Sequence, residues 1–331
     1  MSIMRIIIVA PVLSILFLFY LVYHNLNAQS ISNSTLTNPN GTDTSTGNSK
    51  TDQQSRTNSS DKLVVISSLF PIDEFVRKIG GVAVQSSVLV PPGVEPHDFE
   101  PTINQIQALN SADVLVYNDF GLENWIQKIN VLNKINASKG LNASYTDKRK
   151  MIPDPHVWLD PLLAMKQVVN IRDGLMMIDP NHKDTYFENA KSFLTELDRL
   201  DKTIRSDLES CKKRDFIPFH NSFSYFANQY GLKQHSISGM GPEAEITPLR
   251  LAEIINMAKR LDLHVIYSEE LMDPRYASVV AEEIPNGKVL TLSPIEGLTK
   301  YEQEAGIGYI DKMRQNIKNL MVGLDCNQIL K

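Results

Sequence analysis

Cysteine is nearly absent from this 331-residue chain, which holds only Cys211 and Cys326. Two cysteines cannot form an all-cysteine zinc cluster, and neither sits in a Cys-x-x-Cys pair. In an oxidising compartment they can pair with each other. A basic excess is also missing. With 33 Lys+Arg against 38 Asp+Glu the net charge is −5, so there is no electrostatic footprint for nucleic acid. No His-Glu-x-x-His stretch occurs, which excludes the helical zinc-protease signature. Residues 121–155 carry no histidine-rich run.

Long apolar runs are scarce as well. The one present, Ile6 to Tyr23, is interrupted only by Ser14 and Pro11. As a helix it would span about 27 Å, enough for a bilayer core. A cleaved signal peptide would have a shorter apolar region, and Asn25-Leu26-Asn27-Ala28 is a poor small-x-small cleavage site. Residues 1–25 are therefore expected to be an uncleaved anchor, and the remainder to lie outside the cytoplasm. Residues 26–61, rich in Ser, Thr and Asn without apolar periodicity, read as a disordered tether. Asn33, Asn40, Asn58, Asn136 and Asn142 each begin an Asn-x-Ser/Thr acceptor triplet.

From Lys62 onward, short β-branched runs alternate with helical periodicity, the pattern of βα units and parallel sheets. Strands are expected at 62–67, 82–90 and 113–117, with helices at 71–79, from 103, and at 122–132. Residues 133–150 read as a surface loop. A helix follows over 162–178. From 180 to about 211, Phe187, Ala190, Phe193, Leu194, Leu197, Leu200, Ile204 and Leu208 recur at 3–4 spacing, with no glycine and no proline after Pro180. Such a helix exceeds the needs of one small domain and reads as a strut between two; its stripe lacks the strict heptad of a coiled-coil dimer. A second βα series follows, ending in one helix over 301–324. The expected division is a lobe at 62–178, a linking helix at 179–211 and a lobe at 212–331.

Seven histidines punctuate this plan. His97 and His156 each follow a proline on a loop leading into a helix, and His220 ends a strand containing Pro218. Proline fixes φ and stiffens its neighbour, so these three imidazoles sit on rigid junctions. Three histidines with an oxygen donor make a common tetrahedral zinc set. His24, His182, His235 and His264 have no such setting.

Several ordered segments carry a resemblance. They are Pro96-His97-Asp98-Phe99-Glu100-Pro101-Thr102, His156-Val157-Trp158-Leu159-Asp160-Pro161, Phe219-His220-Asn221-Ser222-Phe223 and Glu243-Ala244-Glu245-Ile246-Thr247-Pro248. Together the sequence resembles the cluster A-1 solute-binding proteins of ATP-driven metal importers, the ZnuA/TroA-like zinc-uptake group, over about 62–325. The resemblance implies an α/β fold of two βα-sandwich domains with parallel sheets, joined by a long rigid backbone helix. It implies a non-enzymatic monomer that holds a divalent metal in the interdomain cleft and hands it to an ABC permease. His97, His156 and His220 fall on the family's ligand positions. The usual fourth ligand is an aspartate, where this chain has Ser293 in Thr291-Leu292-Ser293-Pro294-Ile295-Glu296. Glu296 is the candidate replacement, with Glu245, Glu269 or a water as rivals. Imidazole nitrogen favours Zn²⁺, with Mn²⁺ as the alternative cargo. A zinc-dependent hydrolase, a siderophore or haem binder, and an adhesin-like surface role are the other readings.

Overall fold

β1 (Leu63–Ser67) forms where β-branched residues run together. α1 (Phe70–Gly80) starts with Pro71 in its first turn, buries Phe75, Val76 and Ile79, and ends against Gly81 at φ 52°. β2 (Val84–Val88) follows. Thr102 caps α2 (Ile103–Ser111) in a capping box with Gln105. β3 (Val114–Tyr117) and β4 (Asn133–Asn136) complete a wholly parallel sheet of order β2-β1-β3-β4. The computed structural model describes residues 62–143, 145–147, 152–239, 241 and 246–327. The expected anchor and tether lie outside the described residues, as do the triplets at Asn33, Asn40 and Asn58. Among the described residues no helix is long and apolar enough to cross a membrane.

The stretch 122–150 departs from expectation. In place of a helix over 122–132 there is one 3-10 turn, Asn124–Lys128. Lys134 donates its ammonium to the carbonyls of Ile126 and Ile129, which a longer helix would have used itself. In place of a loop from 133, β4 adds to the sheet edge. Only Ile135 of β4 is buried, so the strand's polar sequence hides it. Gly174 explains the close cover: a Cβ there would meet Ile135 Cδ1 at 2.6 Å. Asn136, the first residue of a triplet, uses its amide on the Asp119 carboxylate, whereas Asn142 is exposed. β5 (Tyr145–Asp147) and β6 (Ile152–Pro153) pair antiparallel.

α3 (Pro161–Ile178) is capped by the Asp160 carboxylate. After a short 3-10 turn at Pro180–His182, α4 (Lys183–Glu209) runs 27 residues, about 40 Å. Its buried stripe is Tyr186, Ala190, Phe193, Leu197, Leu200, Ile204 and Leu208. Phe187, expected on that stripe, is 45% exposed and lies under the Arg172 guanidinium.

β7 (Asp215–Phe216), α5 (Ser224–Tyr230), β8 (Lys233–Gln234), α6 (Pro248–Arg260), β9 (Val265–Ser268), α7 (Arg275–Glu282) and β10 (Lys288–Thr291) form the second βα series. β7 pairs parallel with β8, and β9 with β10. A parallel Ile217–Ile266 bridge joins the two pairs, giving the order β8-β7-β9-β10. The single terminal helix expected over 301–324 is two: α8 (Lys300–Glu304) and α9 (Tyr309–Gly323). Gly306 at φ 69° breaks the path, and the Gly308 N–H restarts it on the Asp311 carboxylate. One large core runs from Val65 and Phe75 through Phe193 and Leu200 of α4 to Tyr309 and Leu320 of α9.

Cys211, just past α4, and Cys326, just past α9, are disulfide-bonded. The bridge closes a loop across a sequence separation of 115 residues. Replacing both cysteines by serine is expected to cost about 2–4 kcal/mol in urea unfolding, with the far-UV circular dichroism spectrum unchanged.

Candidate metal centre

His97 follows Pro96 on the loop between β2 and α2. Its backbone N–H donates to Glu95 Oε1 at 3.1 Å. His156 opens the 3-10 turn before α3; His220, expected to end a strand, instead lies in a bend four residues past β7, because the ladder stops at the Ile217 bridge ahead of Pro218. Glu296 lies after β10, behind Ile295. These four side chains converge from opposite ends of the chain, with one donor atom each within 4.8 Å of all the others. His156, His220 and Glu296 are buried, and the His97 side chain is 12% exposed.

The distances are those of a small polyhedron. His156 Nε2 lies 3.2 Å from both His97 Nε2 and His220 Nε2. Glu296 Oε1 lies 2.8 Å from His156, 2.9 Å from His97 and 3.6 Å from His220. A tetrahedral zinc site with bonds of about 2.0–2.1 Å has donor–donor edges of about 3.3–3.4 Å. Five edges of this polyhedron scatter around that length.

Two carboxylates decide which way the rings face. Asp154 Oδ1 accepts from the His156 backbone N–H at 3.0 Å and stands 2.7 Å from Nδ1. Glu269 Oε1 does the same for His220, at 3.1 and 2.7 Å. With Nδ1–H donated outward, the Nε2 lone pairs of both rings point into the shared space. Carboxylate–histidine pairs of this kind orient imidazoles at metal sites. Glu269, a rival for the fourth ligand, serves as an orienter instead, and Glu245 lies outside the described residues. Ser293 brings no carboxylate, and its hydroxyl accepts the Ile295 N–H.

The charges follow the geometry. Burial alone would push the His156 imidazole down, but Asp154 and Glu296 more than offset it and hold it above its ordinary value. For His220 the same opposition, with Glu269 and Glu296 against burial, leaves it raised well above. Burial would raise Glu296, yet the His97 and His220 charges hold it well below the usual carboxylate range. Glu95 is pushed up to about 8 by burial and by repulsion from Glu296.

Glu296 is delivered by a strained residue. Ile295, buried and β-branched, takes φ 57°. That conformation costs on the order of 1–3 kcal/mol and persists only where the surroundings over-determine it. Trp158 ties the two halves of the site together: its Nε1–H donates to the Pro294 carbonyl at 2.8 Å. Its own carbonyl accepts from the Tyr309 hydroxyl at 2.5 Å.

His182, His235 and His264 pair with Asp179, Asp215 and Asp262 and take no part in the cluster. His24 lies outside the described residues. Asp154 and Glu269 were not singled out as orienters in the sequence. Asp154 had a signal, standing two residues before His156. Glu269 sits 49 residues from His220, with no local pattern to connect them.

Residues 65–323 match the family model for the periplasmic zinc-uptake complex component A, ZnuA. The high-affinity zinc uptake system protein ZnuA of Bacillus subtilis is 36% identical over 292 residues, covering 83% of this chain and 91% of that protein. The zinc-binding lipoprotein AdcA of Streptococcus pneumoniae is 32% identical over 279 residues, 78% of this chain. The chain spans 55% of that longer relative. The crystal structure of its Zn(II)-bound ZnuA-like domain superposes with a TM-score of 0.71 at 33% identity, covering 80% of this chain and 99% of that one. The laminin-binding protein Lmb of Streptococcus agalactiae, described as a bifunctional adhesin and metal transporter, gives a TM-score of 0.74 at 32% identity, covering 80% and 99%.

In metal-free protein, Glu296→Gln should lower the imidazole pKa of both His156 and His220. The change removes an attraction that holds both cations, and nitrogen-detected NMR titration of the two rings would check it.

Proposed function

This chain belongs to the ZnuA family of periplasmic zinc-uptake components, and from that premise we propose that it captures Zn²⁺ through His97, His156, His220 and Glu296. The family consists of substrate-binding proteins of transporters, not enzymes. The observation that carries the reading is the convergence of three imidazole nitrogens and one carboxylate oxygen, 2.8–3.6 Å apart where measured, in a buried space. A cation there replaces the water that each donor gave up on burial. Three nitrogens with one oxygen suit zinc, whereas manganese prefers more carboxylate and carbonyl oxygen.

Capture takes place outside the cytoplasm and delivery is to an ABC permease, as the family name and the zinc-uptake relatives support. Residues 1–25 hold the protein at the membrane and 26–61 act as its tether. The lobes at 62–178 and 212–331 move little on α4 (Lys183–Glu209), because the core and the Trp158 bond run continuously between them. The similarity to Lmb favours one second reading, an adhesive surface role. Retention of the purified chain on laminin-coated plates tests it, and no retention above a serum-albumin control removes it.

Zinc titrated into the full chain should bind once per chain. At 100 times its dissociation constant it should add about 2.7 kcal/mol to stability. His97→Ala, His156→Ala and His220→Ala should each weaken binding by at least the roughly 10–100-fold that loss of an outer-sphere partner costs. Unchanged affinity in all three would overturn the reading. Because His156 and His220 are raised in the metal-free state, zinc must displace their protons. Affinity should therefore fall as pH is lowered, with proton release on binding growing in the same direction. Calorimetry in buffers of different ionisation enthalpy reads both.

A further inference from the structure

Building on the zinc-capture reading, the geometry points to Ser293 and Asn316 as positioning residues that hold Glu296 as a one-oxygen donor and so set the affinity and four-coordinate character of the site. Ser293 lies three residues before Glu296, in the segment that follows β10. Its hydroxyl accepts the Ile295 N–H at 3.1 Å. Its backbone is held from the other side by a single amide. Asn316 Oδ1 accepts the Ser293 N–H at 2.8 Å, and Asn316 Nδ2 donates to the Ser293 carbonyl at 2.7 Å.

Both residues are buried, and Asn316 lies on the face of α9 that also buries Met313, Ile317 and Leu320. A buried amide among apolar neighbours is unfavourable unless its hydrogen bonds are met, and here both go to one serine. With the Trp158 bond to the Pro294 carbonyl, the three residues before Glu296 are each tied by hydrogen bonds. The ties hold Ile295 in its left-handed conformation, and that conformation turns the Glu296 side chain inward. Released from them, Ile295 would return to an ordinary backbone region and carry the carboxylate away from the imidazoles.

The hold also fixes how the carboxylate is used. Oε1 faces the Nε2 atoms, whereas among the described residues buried Oε2 has no hydrogen-bond partner. Three nitrogens and one oxygen make four donors, a tetrahedral set. A carboxylate free to rotate could offer both oxygens and raise the coordination number, which suits larger and harder cations.

The test compares full-length wild type with Ser293→Ala, Ser293→Thr and Asn316→Leu. Zn²⁺ affinity is read by chelator competition, coordination number by the visible absorption of bound Co²⁺, and stability by thermal unfolding of the metal-free protein. Ser293→Ala and Asn316→Leu should weaken zinc binding by roughly 10–100-fold and reduce the intense bands of four-coordinate Co²⁺. Ser293→Thr, which keeps the hydroxyl, should restore both. Wild-type affinity and spectra in both loss variants, even with a lowered melting temperature, would overturn the inference and leave zinc capture standing. If wild type itself took up no zinc, the capture reading would fail and this inference with it. Should Asn316→Leu not fold, the serine pair decides alone.

Discussion

The site depends on two carboxylates that do not belong to the candidate donor set. Asp154 and Glu269 each take both the backbone N–H and the Nδ1 side of a histidine. That double grip fixes the ring plane and the tautomer together, so the lone pair of each Nε2 has one direction in which to point. Remove the grip and the same histidines become ordinary buried imidazoles, free to turn. The converging geometry at Glu296 is thus an outcome of bonds made on the far side of each ring.

The second requirement is that loops from distant parts of the chain keep their spacing. The continuous core along α4 supplies the coarse alignment. The fine alignment comes from short ties. Trp158, two residues past His156, bonds the carbonyl two residues before Glu296, so one indole sets the separation of two candidate ligands. Tyr309 then anchors that tryptophan to α9. A further buried network of Asn118, Ser138 and Gln167 holds the Pro155 carbonyl immediately ahead of His156. Each tie is a single hydrogen bond of modest net worth, but all lie where an unmade bond is expensive.

Much of this could be read in the residues alone. Proline-stiffened histidines at strand and helix junctions, and the alternation of β-branched runs with helical periodicity, pointed to the α/β architecture and to the three imidazoles that the structure brings together. The parts that could not be read have physical reasons. β4 is an edge strand whose polar residues look like loop, and its membership of the sheet is decided by Gly174 of α3 lying over Ile135. The missing helix at 122–132 follows from Asp119, Phe120 and Gly121, all at positive φ, turning the chain sharply after β3. Only one of the three is glycine, so nothing local announced the turn. Phe187 and Tyr186 exchange places because neighbouring aromatics differ by 100° around a helix, and tertiary packing chooses between them. Glu269 and Asn316 act across 49 and 23 residues, distances over which no local pattern speaks.

The bond between Cys211 and Cys326 makes the whole segment after α4 a covalent ring. Two of the four converging side chains, His220 and Glu296, ride on that ring, while His97 and His156 precede it. A protease that cuts the backbone once anywhere inside the ring frees no fragment: both pieces stay attached at the foot of the long helix. For a domain exposed to whatever enzymes share its surroundings, half of the cluster is therefore insured topologically against a single nick, whereas the half carried by the open chain depends on packing alone.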